Sequence, residues 1–360
     1  MKVKSISILG LGLIGGSIAK SLKASGTTFK IFGYDKDEIL EQALSQNVID
    51  EKLASIEESK KSEIIFLCFP LDLSLKVFKE LAPKLDSSNL ITDVCGVKNI
   101  FHEEWNKINS KGFFVGGHPM TGKEVSGFQN SDSLLFENSI YILTNEVKDY
   151  FAWNDFIEII HKLGARIHFL SPKVHDIVVA SVSHLPQLLA VSLINSASLQ
   201  NNDIHFYDYA AGGFRDMTRI ASSSFDIWES IIKLNKEKIL AAFDSFENEF
   251  QQIKSLIENG ELEKLAEKFE SARKKRDEIP KNRKGMISQL FDLFVFVKDQ
   301  PGEISKISTA LYKQNINIKD MELLKIREGS GGTFRLAFSK LEEAKLAKKI
   351  LEEEGFSTNF

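Results

Sequence analysis

"ILGLGLIGGSIAK", Ile8 to Lys20, decides how the first part of this chain is read. The apolar, β-branched run "KSISILG" leads into it, and "LIGGSIAKSLKAS" leads out with helical spacing. Between them stand Gly10, Gly12 and Gly15 in the pattern G-x-G-x-x-G. Glycines in such a turn let a dinucleotide pyrophosphate lie against the backbone. The helix opening at Leu13 and Ile14 adds unpaired N–H groups and the positive end of its dipole. The segment "FGYD" ends a strand at Asp35, twenty residues beyond Gly15. That is the spacing of the acid that binds the adenosine ribose hydroxyls. A carboxylate repels a 2′-phosphate, so Asp35 favours NAD over NADP, with Lys36 beside it softening the repulsion.

Working outward, "FKIFGYD", "SEIIFLCFP", "NLITDVC" and "GFFVGGH" read as further strands, each reached through a helical stretch. Continuous apolar strands separated by helices indicate a doubly wound parallel sheet covered on both faces, an α/β architecture of Rossmann type. "SIYILT" and "ARIHFL" are expected to extend that sheet. From Ser171 to Arg276 the strand signals stop. "SPKVHDIVVASVSHLPQLLAVSLINSASL" predicts one long apolar helix, entered at Pro172 and kinked at Pro186. Farther on, Phe246, Phe250, Ile253 and Ile257 recur at three and four, a stripe for a bundle interior or a dimer seam. "KKRDEIPKNRKG" is a basic connector, read as an exposed linker, and the remainder follows the order βαββαβ, a small α+β unit. The expected parts are a dinucleotide-binding domain (1–170), a helical substrate and dimerisation domain (171–276), a linker (277–289) and a small regulatory-type domain (290–360).

Composition narrows the function classes. The 360 residues are 43% hydrophobic with a formal net charge of -4, ordinary for a chain with real cores and no argument for nucleic acid or membrane surface. Two cysteines in apolar runs point to a reducing compartment, and the chain is read as cytoplasmic. The basic and apolar N-terminus imitates a secretory leader, but Lys20 interrupts it and no A-x-A site follows.

Three segments carry the chemistry. "GGHPMTGKE", Gly116 to Glu124, puts His118 on the same carboxyl edge of the sheet as the glycine turn, where ligands of such sheets bind. "SVSHLPQ" places His184 in an apolar helix before a proline. "AGGFRDMTRIASSSFDIW" follows a glycine pair with Arg215 and Arg219 at i and i+4. That spacing suits a bidentate grip on carboxylates or a surface pairing with Asp216 or Asp226.

Taken in order, "GLGLIGGS", "ITDVCGVK", "GGHPMTGKE", "SHLPQ" and "GGFRDMTRIA…W" resemble the prephenate dehydrogenase family across nearly the whole chain. The βαββαβ unit, with "VKDQPGEISKI" at its first strand-to-helix turn, resembles an ACT regulatory domain. The resemblance implies NAD-dependent oxidative decarboxylation of prephenate to 4-hydroxyphenylpyruvate without a metal. It implies a neutral His118 as base on the ring hydroxyl, and Arg219, with Arg215 second, as the hold on a substrate carboxylate. His184 would line the pocket, Glu124 would orient groups at its mouth, and Trp228 falls near it. It further implies a homodimer built through the helical segment and tyrosine as effector of the ACT-like unit. One departure stands out: where the family often has "GSVK" or "GSTK", this chain has Gly96 in "CGVK". The alternatives are arogenate as substrate at the same site and, from another class, a non-catalytic dinucleotide and amino-acid sensor.

Overall fold

The computed structural model describes residues 2–123, 125–196, 200–201, 204–278, 290–327 and 331–360. It divides into two compact units, Met1–Lys281 and Asn282–Phe360. From residue 279 onward, the connector expected at 277–289 lies outside the described residues.

The first unit opens with β1 (Ser5–Leu9), α1 (Leu13–Ala24), β2 (Lys30–Tyr34), α2 (Asp37–Ser45), β3 (Glu51–Lys52), β4 (Ile64–Leu67), α3 (Leu71–Leu81), β5 (Leu90–Asp93), α4 (Asn99–Trp105) and β6 (Phe113–Val115). The six strands are parallel, in the order β3-β2-β1-β4-β5-β6. Their side chains alternate between two apolar layers. Ile64 and Phe66 join Ile18 and Leu22 of α1, while Ile65 and Leu67 join Val77 and Phe78 of α3. Both faces are buried, which is why the strands read as unbroken apolar runs. The strand order reverses between β1 and β4, and that reversal opens a crevice at their carboxyl ends.

The next three strands depart from expectation. β7 (Gly117–Pro119) runs antiparallel to β8 (Ile140–Leu143), which is joined through α5 (Trp153–Lys162) to a parallel β9 (Arg166–Phe169). "SIYILT" and "ARIHFL" therefore form a separate three-stranded sheet and do not extend the first. The break comes at the glycine pair. A Cβ on Gly116 would stand 2.7 Å from Thr144 Oγ1, and one on Gly117 would stand 2.6 Å from the carbonyl oxygen of Asp93. These glycines let the chain cross tightly over the end of β5 before it pairs with β8; the space beside them is filled by protein.

The apolar helix is entered as expected, with Pro172 in the first turn of α6 (Pro172–Val179) and the Ser171 hydroxyl accepting from Val174 N. A π turn over Ala180–His184 then joins it to α7 (Leu185–Ser196). Pro186 has no N–H to give the preceding turn, and the wider turn absorbs that loss so that the helix continues. The run Pro172–Ser196 is long and apolar enough, by length and composition, to cross a membrane, yet a third of its most apolar stretch is buried inside the fold. After a two-residue ladder, β10 (Gln200–Asn201) with β11 (Ile204–His205), come α8 (Gly212–Thr218), α9 (Phe225–Leu234), α10 (Lys236–Glu258) and α11 (Leu262–Glu278). The stripe on α10 is divided. Phe246 packs on the cluster around Ala180, Leu185 and Ile239, while Phe250 and Ile257 remain 54% and 60% exposed.

The second unit is β12 (Phe291–Val297), α12 (Glu303–Lys313), β13 (Asp320–Arg327), β14 (Gly331–Phe338), α13 (Leu341–Glu353) and β15 (Ser357–Asn359). Its antiparallel sheet has the order β13-β14-β12-β15, and its core joins Leu293, Val295 and Leu336 to Ile307, Leu311 and Leu351 of the two helices.

Candidate active site

The glycine turn is built for a close ligand. Gly10 has φ 97°, in the left-handed region, and a Cβ there would meet the Cys68 backbone at 2.8 Å. A Cβ on Gly15 would lie 1.9 Å from the Gly10 carbonyl oxygen, so α1 sits directly against the turn. At Gly12 the missing side chain faces open space. The first turn of α1, from Leu13 and Ile14 onward, carries no acidic residue, which leaves its dipole available to an anion. Asp35 closes the site from β2: its carboxylate accepts from Leu11 N at 2.6 Å and from Lys36 N at 2.7 Å. Gly15→Ala is expected to cost about 1–3 kcal/mol through overpacking and to weaken NAD+ binding, as thermal melts and a dinucleotide titration would show.

Across the carboxyl edge a buried hydrogen-bond chain begins at His118. His118 Nδ1 lies 2.8 Å from His175 Nε2, and His175 Nδ1 lies 2.8 Å from Asp176 Oδ1. Asp176 is pinned where α4 starts, accepting from Lys98 N at 2.8 Å and from Asn99 N at 2.9 Å. On its other side, Asn235 Nδ2 donates to the Asp176 carbonyl at 2.9 Å and lies 3.3 Å from His184 Nδ1. His184 meets Trp228 edge-on, with ring centroids 5.9 Å apart. The π turn and the junction of α9 with α10 thus converge on β7.

A second buried feature stands behind His118. Lys98 and Asp93 form an ion pair in which both side chains are fully buried, and the Lys98 ammonium lies 5.1 Å from the Phe101 ring centre. Burial drives His118 well below the ordinary imidazole range, with further depression from the charges of His175, Lys98 and His184. Burial likewise lowers His184 to about 4. Both rings are neutral near pH 7. Cys95, at the end of β5, is pushed up to about 12 by burial and is packing, not a thiolate.

Gly96 leaves room beside this base. A Cβ there would stand 3.9 Å from His118 Nε2 and 3.8 Å from Ile231 Cδ1, ordinary contact distances. The small side chain of a serine could begin there without a clash, so the departure at this position widens the space next to Nε2.

Of the residues singled out in the sequence, His118 and His184 come into one buried cluster, while Gly10, Gly12, Gly15 and Asp35 form one turn. Arg215 lies on α8 and Arg219 begins the 3-10 turn that follows; both are exposed in the single chain. Glu124 lies outside the described residues. Sequence reasoning missed His175, Asp176 and Asn235. The readable signal was a histidine–aspartate pair set within an otherwise apolar helix.

Comparison with known proteins matches three stretches of the chain. Residues 18–169 match the family described as "Prephenate dehydrogenase, nucleotide-binding domain", residues 171–271 its "dimerization domain", and residues 291–354 the ACT domain. The chain is 36% identical over 354 residues to a prephenate dehydrogenase of Bacillus subtilis, covering 97% of this chain and 95% of that protein. It is 33% identical over 356 residues to a prephenate dehydrogenase of Lactococcus lactis, covering 98% of each. Among solved structures, prephenate dehydrogenase from A. aeolicus, in complex with hydroxyphenyl propionate and NAD+, superposes with a TM-score of 0.70 at 32% identity. That match covers 78% of this chain and 99% of the other.

Proposed function

The chain belongs to the prephenate dehydrogenase family, and we propose that it oxidises prephenate with NAD+ to 4-hydroxyphenylpyruvate, carbon dioxide and NADH. The observation that carries this reading is a neutral, largely enclosed His118 on β7, whose Nε2 adjoins the space left by Gly96 just beyond β5 of the sheet that bears the glycine turn. The open face of Gly12, the start of α1 and the Asp35 carboxylate fit a dinucleotide without a 2′-phosphate. NAD+, when bound, accepts the hydride from the ring carbon that carries the hydroxyl. His118 takes the hydroxyl proton at Nε2 as that oxygen becomes a carbonyl. The ring carboxylate departs as carbon dioxide, its bonding pair completes the aromatic ring, and the phenolate oxygen so formed takes the proton back from His118. Arg219, with Arg215 second, is assigned to a substrate carboxylate and His184 to the pocket wall; Glu124 keeps its assignment at the mouth on sequence alone.

Initial rates with prephenate and with arogenate, each with NAD+ and NADP+, test the reading. The highest kcat/KM is expected for prephenate with NAD+. A preference for arogenate would keep the site and change the substrate. The pH profile checks the base. Because the neutral ring is the active form and its pKa is lowered, the acid limb of kcat/KM is expected below pH 6.5, the ordinary imidazole value. A limb above that value would remove His118 as the titrating group.

The four-part division at 1–170, 171–276, 277–289 and 290–360 is kept as the functional map. The helical part is assigned to a homodimer. Val174, Ile177 and Val182 on the long helix, with Phe250 and Ile257 on α10, are apolar and exposed in one chain, and the family match there names dimerisation. A cytoplasmic location accords with the reducing environment read from the cysteines. The ACT unit is assigned to a tyrosine effector. The turn before α12 frames a cavity of about 630 Å³ lined by Asp299, Pro301, Gly302, Glu303 and Ser305, and Gly302 takes φ 93° to cap the helix. Tyrosine is expected to raise the melting temperature and inhibit turnover; if it does neither, the feedback reading is abandoned.

A further inference from the structure

The hydrogen-bond chain contains donors and acceptors whose roles are fixed by chemistry, and these settle where the protons sit. A carboxylate only accepts, and a backbone carbonyl only accepts. Asp176 takes backbone N–H groups at both carboxylate oxygens, so the His175 nitrogen 2.8 Å from Oδ1 must donate. Burial lowers His175 from the ordinary imidazole range, so the ring is neutral: Nδ1 carries its one hydrogen, and Nε2 is the bare nitrogen. That bare nitrogen faces His118 Nδ1 at 2.8 Å, so His118 Nδ1 must donate in turn and its Nε2 is left with the lone pair. The other arm starts from the Asp176 carbonyl. The Asn235 atom 2.9 Å from that oxygen must be the amide nitrogen, a donor only. The same nitrogen lies 3.3 Å from His184 Nδ1, which must accept, leaving the ring hydrogen of His184 on Nε2.

We propose that Asp176 sets opposite tautomers in the two histidines of the site. Through His175 its carboxylate makes His118 a base at Nε2, and through Asn235 its carbonyl makes His184 a hydrogen-bond donor at Nε2. Resting on the dehydrogenase reading, this assigns His184 to an oxygen of the substrate and excludes it as a second base. His175, Asp176 and Asn235 are positioning residues. They do not touch the reacting atoms; they determine which ring nitrogen is free to take the hydroxyl proton. A histidine in the wrong tautomer is a poor base even where its position is unchanged.

Nitrogen-15 NMR of the full chain with labelled histidine reads the tautomers directly, with His118→Asn and His184→Asn assigning the two rings. The expected spectrum has His118 protonated at Nδ1 and His184 protonated at Nε2. Both rings in the same tautomer, or His118 protonated at Nε2, would overturn the proposal. Two variants extend the test. The amide of His175→Gln can still donate to Asp176 and accept from His118, so the His118 tautomer should persist and kcat stay within about threefold. His175→Leu loses both bonds, so the His118 tautomers should mix and kcat fall by about 10–10²-fold with KM little changed. An unchanged His118 spectrum in His175→Leu would also overturn it. The tautomer readout needs no turnover: the expected spectrum without NADH formation from prephenate would sink the dehydrogenase reading and leave the tautomer assignment standing.

Discussion

His118→Asn is expected to lower kcat by about 10²–10⁴-fold, the usual contribution of a positioned general base, while NAD+ still binds. Asparagine can keep a polar contact towards His175, but it has no lone-pair nitrogen to accept the hydroxyl proton. The ring belongs to β7 and is not part of the turn formed by Gly10, Gly12 and Asp35, so dinucleotide affinity should be nearly unchanged. Steady-state kinetics with a parallel NAD+ titration checks both halves. A variant that loses NAD+ affinity and keeps kcat would move His118 out of the chemistry and into cofactor binding.

The second large effect concerns stability. Lys98→Ala is expected to destabilise the first unit by about 3–5 kcal/mol, because removing one member of a buried ion pair strands the other charge in the interior. Asp93 and Lys98 are both fully buried, and Asp93 Oδ2 also accepts from Cys95 N at 3.0 Å. Loss of the ammonium would leave this carboxylate unpaired beneath the strand that carries His118. A loss of that size is a large share of the roughly 5–15 kcal/mol that holds a typical domain together. Denaturant unfolding measures it, and a loss under about 1 kcal/mol would mean that the carboxylate finds water or a proton at little cost. Any Lys98→Ala protein that stays folded should also show a raised His118 pKa, since the Lys98 charge is one of the causes lowering it.

The sequence carried the dinucleotide turn because its requirements are local. Gly10, Gly12, Gly15 and Asp35 are each demanded by backbone geometry or charge within a single βαβ unit. The small C-terminal unit was readable for the same reason, since turn residues and periodicity alternate over short spans. What could not be read was pairing. "SIYILT" has the composition of a strand in either sheet, and only the tight crossing at Gly116 and Gly117 commits it to β7. The need for glycine before His118 is likewise set at a distance, by the packing of Gly116 against Thr144 and of Gly117 against Asp93. Pro186 reads as an irregularity in the helix, and the structure places a π turn, Ala180–His184, just before it.

The site was half legible. His118 stands out directly before Pro119 and His184 two residues before Pro186, but their orientation depends on partners that sequence distance conceals. His175 reaches His118 across 57 positions, and Asn235 reaches His184 across 51. Lys98 lies just before α4, and its complete burial against Asp93 appears only in three dimensions. Arg215 and Arg219 show the limit from the other side: their helical spacing was readable, whereas the single chain leaves both on exposed surface.

The most direct measurement is the stoichiometry of one reaction: purified protein, prephenate and NAD+, with NADH and carbon dioxide counted together. One NADH and one carbon dioxide are expected for each prephenate consumed, because hydride loss and decarboxylation are joined by aromatisation of the same ring. NAD+ binding with neither product formed would contradict a catalytic role and leave a chain that senses dinucleotide without turning it over.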